Sequence, residues 1–507
     1  MSKQRPDLPT LDDRAAGVLL HLSSLPTRYG VGDPGPAAFE FLDFLENSGQ
    51  RWWQMLPLGP AGLGNSPYQA YSAFAGSSLW VSPDEMLKEG LLSASELENV
   101  PAFPKKQIDY PSVSRYKHRL LGLAFARFLG KKAPKEFEVF ERENAEWLED
   151  YALYAALQQL QKGTPWTSWQ DALRRRDPNA LQEARKNLQE QVLFQKFAQY
   201  EFFRQWKKLK DYARDQGIGL IGDLPIFVSL DSADVWAHPD YFRLNSKGMP
   251  TVVAGVPPDL FSKTGQRWGN PLYNWDELKK QRYAWWVQRF KQLFQLFDVV
   301  RLDHFIGFHR FWEIPAKETT AVKGRYIPGP GAEFFSEVLK QLPQASFIAE
   351  DLGIVIPEVT RLRQEFHFPG MSVLQFAFAG DPEKNPYLPY KLVPETVVYT
   401  GTHDNDTTAG WFESGATAKE RDRVRAYLGR PNGDIHWEMV RLAYASPANT
   451  AIIPMQDLLG LGSEARMNFP GKLEGNWQWR LDAATPLDRM ADDLQQMTDT
   501  YGRTKDD

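Results

Sequence analysis

Eight short apolar runs punctuate this chain, and several of them stop at a charged residue. In order they lie in GVLLHLSSLP (Gly17 to Pro26), RWWQMLPLGP (Arg51 to Pro60), GIGLIGDLPIF (Gly217 to Phe227), FDVVRLDHF (Phe297 to Phe305), SFIAEDLG (Ser346 to Gly353), GMSVLQFAF (Gly370 to Phe378), TVVYTGTHD (Thr396 to Asp404) and TAIIPMQDLL (Thr450 to Leu459). A near-continuous apolar run bounded by turn residues is the signature of a strand buried on both faces, as in a parallel sheet. Between the runs lie stretches of helical period, such as PAAFEFLDFLENSG (Pro36 to Gly49), which ends on a glycine stop. Eight strands alternating with helices favour an α/β fold of the closed (β/α)8 TIM barrel type over an open sheet.

Three stretches exceed an ordinary barrel connection. Residues from about 84 to 215 are mostly helical in pattern, with amphipathic segments such as EWLEDYALYAALQQLQ, and read as a helical insertion. Residues 229 to about 275 lack clear periodicity and are rich in Gly, Pro, Asn and Asp, so they read as a loop-rich lid over the active face. A short insertion is expected at 307–333. The whole chain, 1–507, is read as one catalytic barrel domain carrying these insertions.

Composition narrows the function. With no cysteine, disulfides and thiolate metal sites are excluded, and a reducing compartment fits. The net charge is −5 and no segment is a strong basic block, which argues against nucleic acid as a partner. The run Arg174 to Arg176 sits in a polar helical stretch and reads as a solvated face. No apolar run approaches the roughly 18 residues of a membrane span, and the polar N-terminus has no signal-peptide core. A soluble, cytoplasmic protein with no membrane partner is expected. The aromatic content, 17 Trp, 19 Tyr and 31 Phe, suits both a packed core and apolar platforms for sugar rings. Tyr68, Trp268, Trp477 and Trp479, beside Gly, Pro and Asn in loops, are the candidates for the second use.

Four acids stand at the ends of apolar runs: Asp223, Asp303, Glu350 and Asp404. Glycosidic cleavage needs a proton donor to the leaving oxygen and an ionised carboxylate at the oxocarbenium-like carbon. Arg301 precedes Asp303 by two residues, which on a strand puts both on one face and favours an ionised aspartate. Glu350 and Asp351 point to opposite faces, and the longer Glu350 suits the acid/base. His403 and Asp404 alternate in the same way, to bind sugar hydroxyls or stabilise the transition state. Strand-end caps and rim salt bridges are the structural alternative for any one acid. Four on separate strand ends favour chemistry. Metal ligation by His304, His309 and His403 is a weaker reading than ordinary hydrogen bonding. No GxGxxG follows a strand and no GxxxxGK[ST] loop is present, so no nucleotide cofactor is implied.

The motifs LPLGP…SPYQ…SAFAG, IGDLPIFV, DVWAHPDYF, GVPPDLFSKTGQRWGNPLY, RLDHF, AEDLG, YTGTHDNDT and RMNFPG…NWQWR, spread from about Gly17 to Asn476, closely resemble those of the amylomaltases. These are 4-α-glucanotransferases, or disproportionating enzymes, of the α-amylase clan. The resemblance implies transfer of α-1,4-glucan segments between maltooligosaccharides with retention, through a covalent glucosyl-enzyme. It implies Asp303 as nucleophile, Glu350 as acid/base and Asp404 as transition-state stabiliser. It implies Asp223, Arg301 and His403 around the donor sugar; Tyr68 is a further substrate-binding candidate. It also implies a loop, residues 255–271, with Asp259, Phe261, Gln266 and Trp268 near the acceptor. No cofactor and no metal are implied; the partners are maltooligosaccharides and α-1,4-glucans. An α-amylase-like hydrolase and a non-catalytic glucan-binding barrel are the rivals. Leu63, Asn65 and Ile306 depart from the family pattern, which commonly has Tyr, Asp and Arg there.

Overall fold

The computed structural model describes residues 6–258, 262–353, 356–429 and 434–504. Twelve strands occur among them: β1 (Ala15–Leu19), β2 (Trp52–Gln54), β3 (Gly219–Leu224), β4 (Val252–Val256), β5 (Gln266–Pro271), β6 (Val299–Leu302), β7 (Arg310–Pro315), β8 (Arg325–Pro328), β9 (Phe347–Ala349), β10 (Gly370–Val373), β11 (Thr396–Tyr399) and β12 (Thr450–Pro454). Eight of them close a parallel barrel in the order β1-β12-β11-β10-β9-β6-β3-β2. Each of the eight apolar runs supplies one barrel strand.

Side chains alternate along the strands, so each strand serves two cores. Trp52, Ile221, Val299, Ile348, Val397 and Ile452 pack together inside the barrel. Their neighbours Trp53, Leu220, Val300, Phe347, Val398 and Ile453 join the layer between strands and helices. Continuing the alternation from Ile221 and Val299 puts Asp223 and Arg301 on the inner face at the carboxyl ends of β3 and β6, where they are register partners. Trp52 fills the barrel floor because Gly219 has no side chain: a Cβ there would lie 2.4 Å from the indole.

The segment between β2 and β3 is mostly helical. It includes Tyr110–Leu129, Lys135–Leu160 and Gln189–Asp215, the last returning the chain to β3. The rings of Phe128, Phe137, Phe197 and Tyr200 interlock these helices. Most of the chain's aromatics are used in this way, as core.

The segment 229–275 departs from expectation. It carries two strands rather than loops alone, and with β7 and β8 from 307–333 they form one antiparallel sheet, β5-β4-β7-β8. Two insertions separated by β6 therefore build a single sheet. Its strands gave little periodic signal because they are short and carry Gly255, Gly269 and Pro271. The register between β4 and β5 also shifts between Val253 and Gly255.

Candidate active site

The carboxyl ends of the barrel strands open into a cleft of roughly 1030 Å³ lined by Tyr68, Gln266, Trp268, Arg301, Asp303, Glu350, His403 and Asp404. Asp303 directly follows β6, Glu350 directly follows β9, and Asp404 lies on the loop after β11. Asp259 and Phe261 lie outside the described residues.

At the centre is Arg301, 5% exposed. Its Nη1 donates to both carboxylate oxygens of Asp223, at 2.8 and 2.7 Å, and its Nη2 lies 3.1 Å from Asp303 Oδ1. The Tyr68 hydroxyl donates to Asp223 Oδ2 at 2.7 Å. Asp223 thus stands one layer below the cleft wall, fixing the two residues that face the opening.

Glu350 is held by the main chain. His304 N–H donates to Oε2 at 2.8 Å and Leu352 N–H donates to Oε1 at 3.1 Å. His304 adopts a left-handed φ of 53°, uncommon outside glycine, and this turn brings its N–H toward Glu350. Asp351 points away, accepting from Met371 N–H at 2.8 Å.

Burial pushes the Asp303 carboxyl well above the ordinary carboxylate range; Arg301 opposes this, while Asp223, Glu350 and Asp404 add to it. Burial also raises Glu350, against Arg301 and the two N–H donors. Two acids raised together in one site titrate as a pair. Burial lowers His304 to about 4 and keeps His403 below the usual imidazole value. Both rings are therefore neutral near pH 7.

Aromatic faces line the same opening. Tyr68 stacks on His403 with ring centres 5.1 Å apart, and Trp477 packs on Tyr68 at 5.7 Å. Trp268 meets His304 edge-on at 4.9 Å across the cleft. Trp479 does not line this cleft; its carbonyl accepts from Ser24 Oγ at 2.8 Å. Leu63 is 71% exposed on the cleft rim. Asn65 occupies a left-handed φ of 56°, which Asn and Asp tolerate alike. Ile306 packs its apolar side chain against the core. Two contributors carried no strand-end signal: Asn468 Nδ2 donates to Asp404 Oδ1 at 2.6 Å and Arg466 Nη2 donates to the Asp404 carbonyl at 2.7 Å. Among the described residues, no three His, Asp or Glu side chains are grouped as ligands for a metal ion.

Comparison with known proteins places this geometry. A family model described as 4-alpha-glucanotransferase matches residues 20–485. The chain belongs to the 4-alpha-glucanotransferase family. It is 46% identical over 500 residues to the 4-alpha-glucanotransferase of Synechocystis, covering 97% of this chain and 99% of that one. It is 48% identical over 479 residues to that of Thermus thermophilus, covering 92% and 95%. The amylomaltase from Streptococcus agalactiae, solved in complex with acarbose, superposes with a TM-score of 0.93 at 36% identity, covering 97% of this chain and all of that one. The glucanotransferase expectation drawn from the motifs is met, as is the barrel. No helix among the described residues is long and apolar enough to cross a membrane.

Proposed function

We propose that this family member transfers α-1,4-glucan segments between maltooligosaccharides by two successive displacements at Asp303. The observation that carries the assignment is the pair of acids on adjacent strands β6 and β9, one contacting Arg301 at 3.1 Å, the other held by two main-chain N–H groups.

In the first step an Asp303 oxygen attacks the anomeric carbon of the donor sugar. The bond from that carbon to the leaving 4-oxygen breaks, and the Glu350 proton passes to that oxygen. The product is a glucosyl ester of Asp303. In the second step the 4-hydroxyl of an acceptor glucan attacks the same carbon and yields its proton to Glu350. The ester bond breaks and Asp303 is regenerated. Two inversions give net retention. Attack requires an ionised Asp303; Arg301 favours the ionised form of both acids, and the one it is paired with, at 3.1 Å, is Asp303. In this reading the proton of the pair rests on Glu350.

Tyr68, Arg301, His403 and Asp404 surround the donor sugar in this reading, Asp404 stabilising the oxocarbenium-like charge. Asp259, Phe261, Gln266 and Trp268 serve the acceptor. Tyr68, stacked on His403 and backed by Trp477 tilted at 43°, offers a partly apolar wall, which suits the C–H face of a glucose ring. The proposal includes a cytoplasmic setting and a reaction without metal or cofactor, as the motif resemblance implies.

The deciding experiment is incubation with maltotriose alone. Transfer yields glucose and a ladder of longer α-linked oligosaccharides with a nearly constant concentration of reducing ends. Glucose and maltose alone, with matching growth in reducing ends, would establish the hydrolase instead. No conversion would leave the non-catalytic reading.

A further inference from the structure

Asp404 lies on the loop beyond β11 with half of its side chain exposed, 50%. The strand that precedes it does not fix the carboxylate. A segment some sixty residues further along the chain does. Arg466 Nη2 donates to the Asp404 carbonyl and its Nε donates to the Asn468 carbonyl, both at 2.7 Å. Asn468 N–H donates to the His403 carbonyl at 3.1 Å. Asn468 Nδ2 donates to Asp404 Oδ1 at 2.6 Å.

His403 Nε2 lies 3.4 Å from that same oxygen. Both neighbours therefore address Oδ1, and among the described residues Oδ2 has no hydrogen-bond partner. The segment is anchored in turn: Trp477 N–H donates to the Met467 carbonyl at 2.8 Å, and the Tyr110 hydroxyl donates to the Trp477 carbonyl at 2.7 Å. Asn468 thus sits on a braced loop rather than a free one.

We infer that Asn468 is a positioning residue: it fixes the rotation of the Asp404 carboxylate so that the unpartnered Oδ2 is presented to the sugar. A carboxylate on a single Cβ–Cγ bond rotates readily. Hydrogen bonds that strengthen only in the transition state depend on an acceptor already aimed. Arg466 sets the height of the loop through two carbonyls, and Asn468 sets the angle of the side chain. The inference rests on the reading of Asp404 as transition-state stabiliser.

The test uses α-glucosyl fluoride as donor and maltose as acceptor, so that impaired variants still turn over. The parent, Asn468→Ala, Asp404→Ala and the double variant are compared for kcat and KM. Asn468→Ala is expected to lower kcat by roughly 10–100-fold with little change in KM, the scale of a misaimed group. In the Asp404→Ala background the same change is expected to cost nothing further, since no carboxylate remains to be aimed. An equal loss in both backgrounds would overturn the inference. Parent-like turnover by Asp404→Ala would overturn the reading of Asp404 instead.

Asn468→Asp supplies a second readout, being isosteric and so least able to disturb the fold. It sets two carboxylates in contact, and a proton shared between them restores the hydrogen bond. His403 at 3.4 Å and the Arg466 guanidinium face this pair, and Asp303 interacts with it electrostatically. Activity relative to the parent should rise as pH falls, whereas Asn468→Ala should show a flat ratio. A flat ratio for Asn468→Asp as well would overturn the inference.

Discussion

The main-chain N–H of His304 donates to Glu350 Oε2 at 2.8 Å, so the residue that follows the proposed nucleophile in the chain holds the proposed acid. The two acids come from different strands, yet they are tied through a single left-handed residue with a φ of 53°. The position of Glu350 is thereby coupled to the end of β6, from which Asp303 also projects.

The roles of these acids separate by donor. Glu350→Gln should lower transfer from maltotriose by on the order of 10²–10⁴-fold. Much of that loss should return with α-glucosyl fluoride, whose leaving group needs little protonation. Asp303→Asn should stay inactive with both donors and form no covalent intermediate. Equal recovery of the two variants, followed by fluoride release, would show the assignment to be wrong.

The raised Asp303 has a stability consequence. A carboxyl whose value is higher folded than unfolded binds its proton more tightly in the native state. Native stability therefore falls as pH rises from the ordinary carboxylate value, about 4, through the raised one. Below about pH 4 the penalty vanishes, because both states are protonated. Asp303→Asn removes the charge while Arg301 keeps its two bonds to Asp223. The variant should be more stable than the parent at pH 7, by about 1–2 kcal/mol, with the gain shrinking toward pH 4. Thermal midpoints measured across that range check it; a gain independent of pH would contradict the linkage.

Activity should survive exhaustive chelation. The oxygens of Asp223 are taken by Arg301 and Tyr68, those of Glu350 by N–H donors, and Asp404 Oδ1 by Asn468. These are partners of carboxylates that hold no cation. Loss of maltotriose conversion on chelation, restored by one divalent ion, would reveal a metal requirement.

Trp268 faces the cleft and packs on His304, beside the strands where the acceptor is proposed to enter. Removing its ring should weaken acceptor binding and admit water to the glucosyl ester. Trp268→Ala should lower total turnover while raising the hydrolysed share, and Phe261→Ala is expected to do the same on the motif resemblance alone. Glucose-balanced product analysis at several acceptor concentrations measures that share, and an unchanged ratio throughout would separate this wall from acceptor control.

The barrel was legible in the sequence because strands buried on both faces must be apolar almost throughout, and a carboxylate ends such a run conspicuously. Asp303 and Glu350 were found on that signal. The lid strands were not. β4 (VVAGV) and β5 (QRWGNP) are interrupted by glycine, and β5 is exposed along its first half, so neither alternation nor a continuous run survives. Asn468 escaped for a different reason. Its partner Asp404 is distant in sequence, it sits in a loop without period, and an asparagine there reads as turn chemistry. Trp479, a candidate sugar platform from its loop setting, is buried and does not line the cleft.

The lid sheet takes two strands from before β6 and two from after it. The strand bearing Asp303 is therefore enclosed, in sequence, by the parts of one small sheet. This makes the proposed lid inseparable from the proposed nucleophile as a unit of exchange. A chimera that borrows β4 and β5 from a relative while keeping its own β7 and β8 must mate two foreign edges at the Ala254–Glu313 pairing. Recombination that preserves the sheet has to move residues 229–328 as one block, so the proposed acceptor wall and the strand that leads to Asp303 travel together.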